Sequence, residues 1–157
     1  MTPAINTAEQ ARIIYTVHEY AHDPTAVSYG LEAAEALGLE PARVFKTLLV
    51  SLQGGQATLA VGIVPVDRQL ELKAIAAAAG SKKAAMADPK EAERATGYVL
   101  GGISPLGQKR RLLTIVDDTA MNFETIYVSA GRRGLEIELS PSDLLSLTEA
   151  HITAIAR

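Results

Sequence analysis

At 157 residues and a net charge of −3, the chain has the length of one domain that can bury a core without staples. Cysteine is absent, which excludes disulfides, thiolate metal sites and a cysteine nucleophile, and fits a reducing compartment. The acidic balance excludes a protein that coats nucleic acid through charge alone, and two Phe, five Tyr and no Trp make the core aliphatic, without deep stacking platforms for single strands.

No repeat or low-complexity linker interrupts the chain, so residues 1–157 read as one continuous domain. Pro3 suits the first turn of a helix running to about residue 13. Residues 15–20 alternate and are rich in β-formers, which predicts a strand. Ser28 caps a helix through Leu37, closed by Gly38. Residues 44–52 read as a buried strand, Gly54-Gly55 as a hairpin turn, and residues 58–64 as the return strand that Pro65 ends. Residues 70–79 have helical composition and stop at Gly80. Asp88-Pro89 opens a further helix to about residue 95. Three strands follow, over 112–117, 125–129 and 135–139. Ser140-Pro141 caps a helix through Leu147, and the tail from Glu149 reads as one more helical turn. Strands and helices interleave irregularly, with tight hairpins between them. This predicts an α+β fold with a mixed or antiparallel sheet. The opening residues show no apolar signal core, and the longest apolar candidate, residues 70–79, is interrupted by Glu71 and Lys73. A soluble protein with no membrane partner is therefore expected.

Lys46 is the most unusual residue in its surroundings, Val44-Phe45-Lys46-Thr47-Leu48-Leu49-Val50. A lysine inside an apolar strand costs desolvation unless its head reaches a partner or a cavity, where it can anchor a phosphate, a carboxylate or a carbonyl oxygen. The alternative is a strand whose outer face meets water, and the sequence leaves both open. Residues 97–107, Gly-Tyr-Val-Leu-Gly-Gly-Ile-Ser-Pro-Leu-Gly, must form a loop, and glycines let backbone N–H groups approach a ligand closely. The loop has neither a Walker A nor a dinucleotide fingerprint. Residues 126–139 read as a hairpin with the basic tip Gly131-Arg132-Arg133-Gly134 and with Ser129 and Glu136 near its stem. Ser129 has no nucleophile elbow around it and no histidine with a claim to be its base. His18, His22 and His151 are scattered without metal-ligand spacing, so neither a metal nor a cofactor is expected. The basic clusters Lys82-Lys83, Lys109-Arg110-Arg111 and Arg132-Arg133 are ordinarily solvated surface, though any of them can form a local nucleic-acid patch.

At these same segments the sequence resembles the YbaK branch of the prolyl-tRNA-synthetase-associated editing superfamily. The likeness is carried by residues 44–50, by Gly97-Tyr98 with residues 101–109, and by residues 126–129 with Gly131, Gly134 and Glu138. Thr2-Pro3-Ala4, Ala87-Asp88-Pro89 and Asp143-Leu144 also fit, so it runs nearly end to end, and Gly101-x-x-x-Pro105 with the strand lysine is its most specific part. The resemblance implies a mostly antiparallel, curved, partly open barrel-like sheet flanked by helices. It also implies hydrolysis of the ester joining a wrong amino acid, typically cysteine on proline tRNA, to its tRNA. In that family the substrate's own thiolate is held to attack its carbonyl and release a cyclic thiolactone, so no side-chain nucleophile is needed. By position, Lys46, Gly101 and Ser129 would carry the chemistry, with the backbone around Gly101 holding the carbonyl or terminal ribose. Tyr20, Tyr29, Thr47, Gly102, Ile103, Ser104, Pro105 and Glu136 would bind substrate, and Lys109, Arg110 and Arg132 the tRNA. The partners implied are the acceptor end of a mischarged tRNA and a prolyl-tRNA synthetase, in the cytoplasm. Two positions depart from the family pattern: phenylalanine is usual at Tyr29 and aspartate at Glu136. These leave a preference for alanine or serine open beside cysteine. A non-catalytic module that binds tRNA or a synthetase is the competing function.

Overall fold

The computed structural model describes residues 1–26 and 28–157. Helix α1 (Pro3–Ala11) begins where Pro3 predicts, and Thr2 caps it: the Thr2 hydroxyl accepts the Ile5 N–H at 3.2 Å and donates to the Ala130 carbonyl, so one cap also fastens the helix to the β-structure. Arg12, left-handed at φ 58°, ends the helix before residue 13. Strand β1 (Tyr15–Glu19) leads to helix α2 (Tyr29–Leu37), capped by Ser28 and closed by left-handed Gly38. A short 3-10 turn at Pro41–Arg43 precedes the hairpin of β2 (Phe45–Gln53) and β3 (Leu59–Pro65). Then come α3 (Leu72–Ala78), β4 (Lys83–Met86) and α4 (Pro89–Thr96), followed by the glycine-rich loop. Strand β5 (Leu113–Asp117), a 3-10 turn (Asp118–Asn122), the hairpin β6 (Ile126–Arg132) and β7 (Leu135–Leu139), helix α5 (Pro141–Thr148) and β8 (His151–Thr153) complete the chain.

The strands form a five-stranded sheet, ordered β4-β2-β3-β5-β8, and a three-stranded sheet, ordered β1-β7-β6. Pairing is antiparallel except for β3–β5 and β5–β8, so the class is the mixed, mostly antiparallel α+β one expected. The β-structure is not a single curved sheet but two, which meet at one parallel bridge between Val44 and Tyr127.

β3 is apolar throughout because it is buried on both faces. Leu59, Val61 and Ile63 enter a core shared by both sheets, α1, α4 and α5, while Ala60 and Val64 face α3 on the opposite side. In the β6–β7 hairpin the period of two sends Ile126, Val128, Ile137 and Leu139 into that shared core. Tyr127, Ser129, Glu136 and Glu138 therefore face the other way, and there Ala33 and Ala34 of α2 pack against Tyr127.

Two elements differ from the sequence expectation. The tail after α5 is not a helical turn: Glu149 adopts φ 55°, which ends α5, and residues 151–153 pair in parallel with β5. The reason lies elsewhere in the chain. The buried Asp117 carboxylate accepts the N–H groups of Ile155 and Ala156 at 2.9 and 3.0 Å, and the backbones of Gln69 and Arg157 bond reciprocally. Strand β4 was not foreseen because Lys83-Ala84-Ala85-Met86 lacks β-branched residues; it exists as an edge strand whose order comes from pairing with β2.

Asp117 also accepts the Thr119 hydroxyl at 2.6 Å, so one carboxylate holds three segments. Removing it in Asp117→Ala strands buried N–H donors and is expected to lower unfolding free energy by about 3 kcal/mol, measured by urea denaturation.

Candidate active site

Between the start of β2, the N-terminus of α2, the glycine-rich loop and the β6–β7 hairpin lies a cavity of about 320 Å³. β2 contributes Phe45, Lys46, Thr47 and Leu48, and the end of β1 leads into Tyr20. α2 brings Tyr29, the loop brings Leu100, Gly101 and Ile103, and the hairpin brings Ser129, Arg132, Arg133 and Glu136. The four come together because Ser129 and Glu136 are register partners on the face turned away from the shared core, towards α2.

Lys46 lines this cavity. It is half-buried, and loss of solvent holds its ammonium below the usual lysine range, against the pull of the Asp67 charge. Glu136 is 6% exposed, and burial pushes its carboxyl up to about 8. An uncharged Glu136 offers both an O–H donor and an acceptor to whatever enters. Among the described residues the buried Thr47 hydroxyl oxygen has no hydrogen-bond partner, which leaves it able to meet a ligand. Burial likewise raises the Tyr20 phenol. The Ser129 hydroxyl accepts the Gly131 N–H at 3.1 Å.

Glycine is required at two points of the loop. Gly101 has φ +89°, and a Cβ there would stand 2.6 Å from Arg133 Nε and 2.7 Å from the Tyr29 ring. A Cβ on Gly102 would stand 2.8 Å from the Arg132 Cα, so loop and hairpin tip touch backbone to backbone. Above this contact the Arg133 guanidinium lies 3.7 Å from the Tyr29 ring centroid.

Fourteen sequence-derived positions can be placed against this geometry. Lys46, Thr47, Tyr20, Tyr29, Gly101, Ile103, Ser129, Arg132 and Glu136 line the cavity, and Gly102 supports its wall without lining it. Ser104 and Pro105 stand outside it: Ser104 is fully buried and accepts the Leu106 N–H, and Pro105 lines a separate depression together with Arg110. Lys109 is exposed beside Gly97, away from the cavity lining. No histidine is paired with Ser129 among the described residues: His18 bonds Glu138 at 2.9 Å and His22 bonds Glu32 at 2.8 Å. No group of three His, Asp or Glu side chains converges as a metal-ligand set among the described residues. Arg133 and Leu100 were missed as site residues. The doubled arginine read as one basic cluster, and only the turn geometry decides which guanidinium stacks on Tyr29.

Comparison with known proteins places the chain in a family. Residues 23–147 match the model of the aminoacyl-tRNA editing domain, and the chain belongs to that family. It is 38% identical over 154 residues, covering 98% of this chain and 92% of its relative, to the Enterococcus faecalis protein EbsC, whose name is that of a Cys-tRNA(Pro)/Cys-tRNA(Cys) deacylase. It is 26% identical over 156 residues, covering 98% of this chain and 90% of the other, to the Escherichia coli multifunctional Ser/Thr-tRNA deacylase ProXp-y. In fold it resembles a crystal structure presented as a trans-editing enzyme for prolyl-tRNA synthetase, at a TM-score of 0.82 and 23% identity over 100% of this chain and 99% of that one. The hypothetical protein APE2540 matches at a TM-score of 0.86 and 23% identity, covering 99% and 100% of the two chains.

The buried carboxyl makes a pH prediction with a definite sign. Its folded value near 8 lies above the ordinary 4.5, so the folded state favours the protonated form. The stability of the wild type relative to Glu136→Gln is expected to decline as pH rises from about 4.5 to about 8 and to level off on either side. Denaturation midpoints of the two proteins across that range check it.

Proposed function

We propose that this protein is a trans-acting aminoacyl-tRNA deacylase that removes a small amino acid, cysteine foremost, from mischarged proline tRNA in the cytoplasm. The observation that carries this reading is the composition of the cavity. Among the described residues it gathers a desolvated lysine, a glycine-turn backbone, an uncharged carboxyl and an orphan hydroxyl, but no side-chain nucleophile with a base. Such a cavity is suited to binding and orienting an ester rather than attacking it. It suits a substrate that brings its own nucleophile.

In the proposed reaction the cysteinyl thiolate attacks the acyl carbon, and the carbon–sulfur bond forms as the carbonyl becomes an oxyanion. That oxyanion collapses, the bond to the ribose oxygen breaks, and the sugar hydroxyl leaves with a proton from solvent. The products are free tRNA and a cyclic thiolactone. The Gly101 N–H would stabilise the oxyanion, because a fixed donor aimed at developing charge costs no reorganisation at the moment of reaction. Lys46 would hold the terminal phosphate or add positive charge at the ester. Glu136, Ser129 and Tyr20 would orient the amine and the thiol, and Thr47 would meet the ribose or the acyl group.

A second reading, deacylation of a serine or alanine ester, draws support from Glu136. An uncharged carboxyl bonds a substrate hydroxyl as readily as it accommodates a thiol, and the E. coli relative is named for serine and threonine. Size alone separates these amino acids weakly, since a methylene's difference is worth only about 1–3 kcal/mol. For tRNA, Arg132 at the cavity and the Lys109-Arg110 pair outside it are the proposed phosphate contacts. With a net charge of −3 the chain would hold tRNA weakly by itself, which favours working beside a prolyl-tRNA synthetase.

The test is deacylation of cysteine-, alanine- and serine-charged proline tRNA. Wild type is expected to clear the cysteine ester fastest, and Lys46→Ala to lower kcat/KM by about a hundredfold. Faster loss of the serine or alanine ester would remove the thiol-assisted step, since neither side chain carries a thiol. No turnover on any of the three, with tRNA still bound, would leave a non-catalytic binding module.

A further inference from the structure

The glycine turn at the cavity is held from both sides by charged side chains, Glu93 of α4 and Arg133 of the hairpin tip. Gly102 N–H donates to the Val99 carbonyl at 2.9 Å, and Gly101 at φ +89° occupies the third position, the signature of a type II turn. Its central peptide joins Leu100 to Gly101. On the α4 side, Glu93 Oε2 accepts the Leu100 N–H at 2.9 Å. On the hairpin side, Arg133 Nη2 donates to the Leu100 carbonyl at 3.0 Å, while its guanidinium plane rests on Tyr29. Leu100 therefore has both backbone groups tied to charged side chains from two different elements.

A trans peptide is planar, with its C=O and N–H pointing in opposite directions. Fixing the Leu100 oxygen on Arg133 fixes the Gly101 N–H facing away from it, and among the described residues that N–H donates to no protein group. We propose that Glu93 and Arg133 are positioning residues, which clamp the Leu100–Gly101 peptide so that the Gly101 N–H is presented to the acyl carbonyl of the substrate. This rests on the deacylase reading of the cavity, but the clamp is a property of the turn and can be measured without substrate. A type II turn competes with its type I alternative by rotating this same central peptide, which would turn the donor around. The two charged side chains select one of the two orientations.

The test uses Arg133→Met, which keeps length and apolar contact but has no donor, together with Glu93→Ala and the conservative Glu93→Gln, which keeps an oxygen acceptor. Arg133→Met and Glu93→Ala are each expected to lower kcat on mischarged tRNA by about tenfold to a hundredfold, because small misplacements of a catalytic group cost that much. KM is expected to stay within about twofold, since the donor acts on the developing oxyanion more than on the bound ester. Glu93→Gln is expected to keep most of the activity. In the same proteins the ¹⁵N order parameter of the Gly101 amide is expected to fall from about 0.85 towards 0.6 in the two disruptive variants, while amides of β3 stay unchanged and report an intact fold. A rise in KM alone would make Arg133 a phosphate contact and overturn the clamp. An unchanged Gly101 order parameter would overturn it as well, whatever the activity. Loss of order at Gly101 in a protein that deacylates nothing would uphold the clamp and sink only the deacylase reading.

Discussion

The cavity exists because the glycine-rich loop and the tip of the β6–β7 hairpin approach backbone to backbone. A Cβ on Gly102 would stand 2.8 Å from the Arg132 Cα, a distance that real Cβ atoms do not tolerate against main chain. Only with that spacing can Arg133 reach the Leu100 carbonyl and lie on Tyr29, and only then does Gly101 stand against the same space as Lys46 and Glu136. Among the described residues the two sheets pair through a single bridge nearby, Val44 with Tyr127, so this contact, rather than continuous strand pairing, joins loop and hairpin where the site sits.

Within that enclosure the chemistry follows from desolvation. Lys46 and Glu136 share a wall that excludes much of the water, and each is pushed towards its uncharged form, the lysine down and the carboxyl up. An incoming aminoacyl ester would supply the charges they lack, a phosphate for one and an ammonium for the other. The same surroundings leave Ser129 without a base, which accords with a site that positions rather than attacks.

Much of this was legible in the sequence where local rules govern. Pro3 and the caps at Ser28, Asp88 and Ser140 set helix starts, and the β runs of residues 126–139 put Ser129 and Glu136 near one hairpin stem, where the register pairs them. Lys46 stood out because an apolar strand dictates the penalty for a charge within it. What escaped depends on contacts far apart in the chain. β8 forms where a helical turn was expected because Asp117, almost forty residues earlier, binds the tail's N–H groups. The division of the loop into cavity-lining Gly101 and Ile103, supporting Gly102 and buried Ser104 follows from packing against the hairpin and α1, not from the loop's own residues. Arg133 was hidden because neighbouring arginines look alike until a turn points them in different directions.

In the proposed function the space roofed by the glycine turn receives the aminoacyl end of tRNA. Its most direct test is a ¹⁵N NMR titration with cysteinyl-adenosine joined through a stable amide in place of the ester. The largest shifts are expected on the amides of Gly101, Thr47, Ser129 and Glu136, with smaller ones at Tyr29. Shifts confined to the depression around Arg110 and Thr148, or binding that leaves the Gly101 amide unmoved, would contradict it.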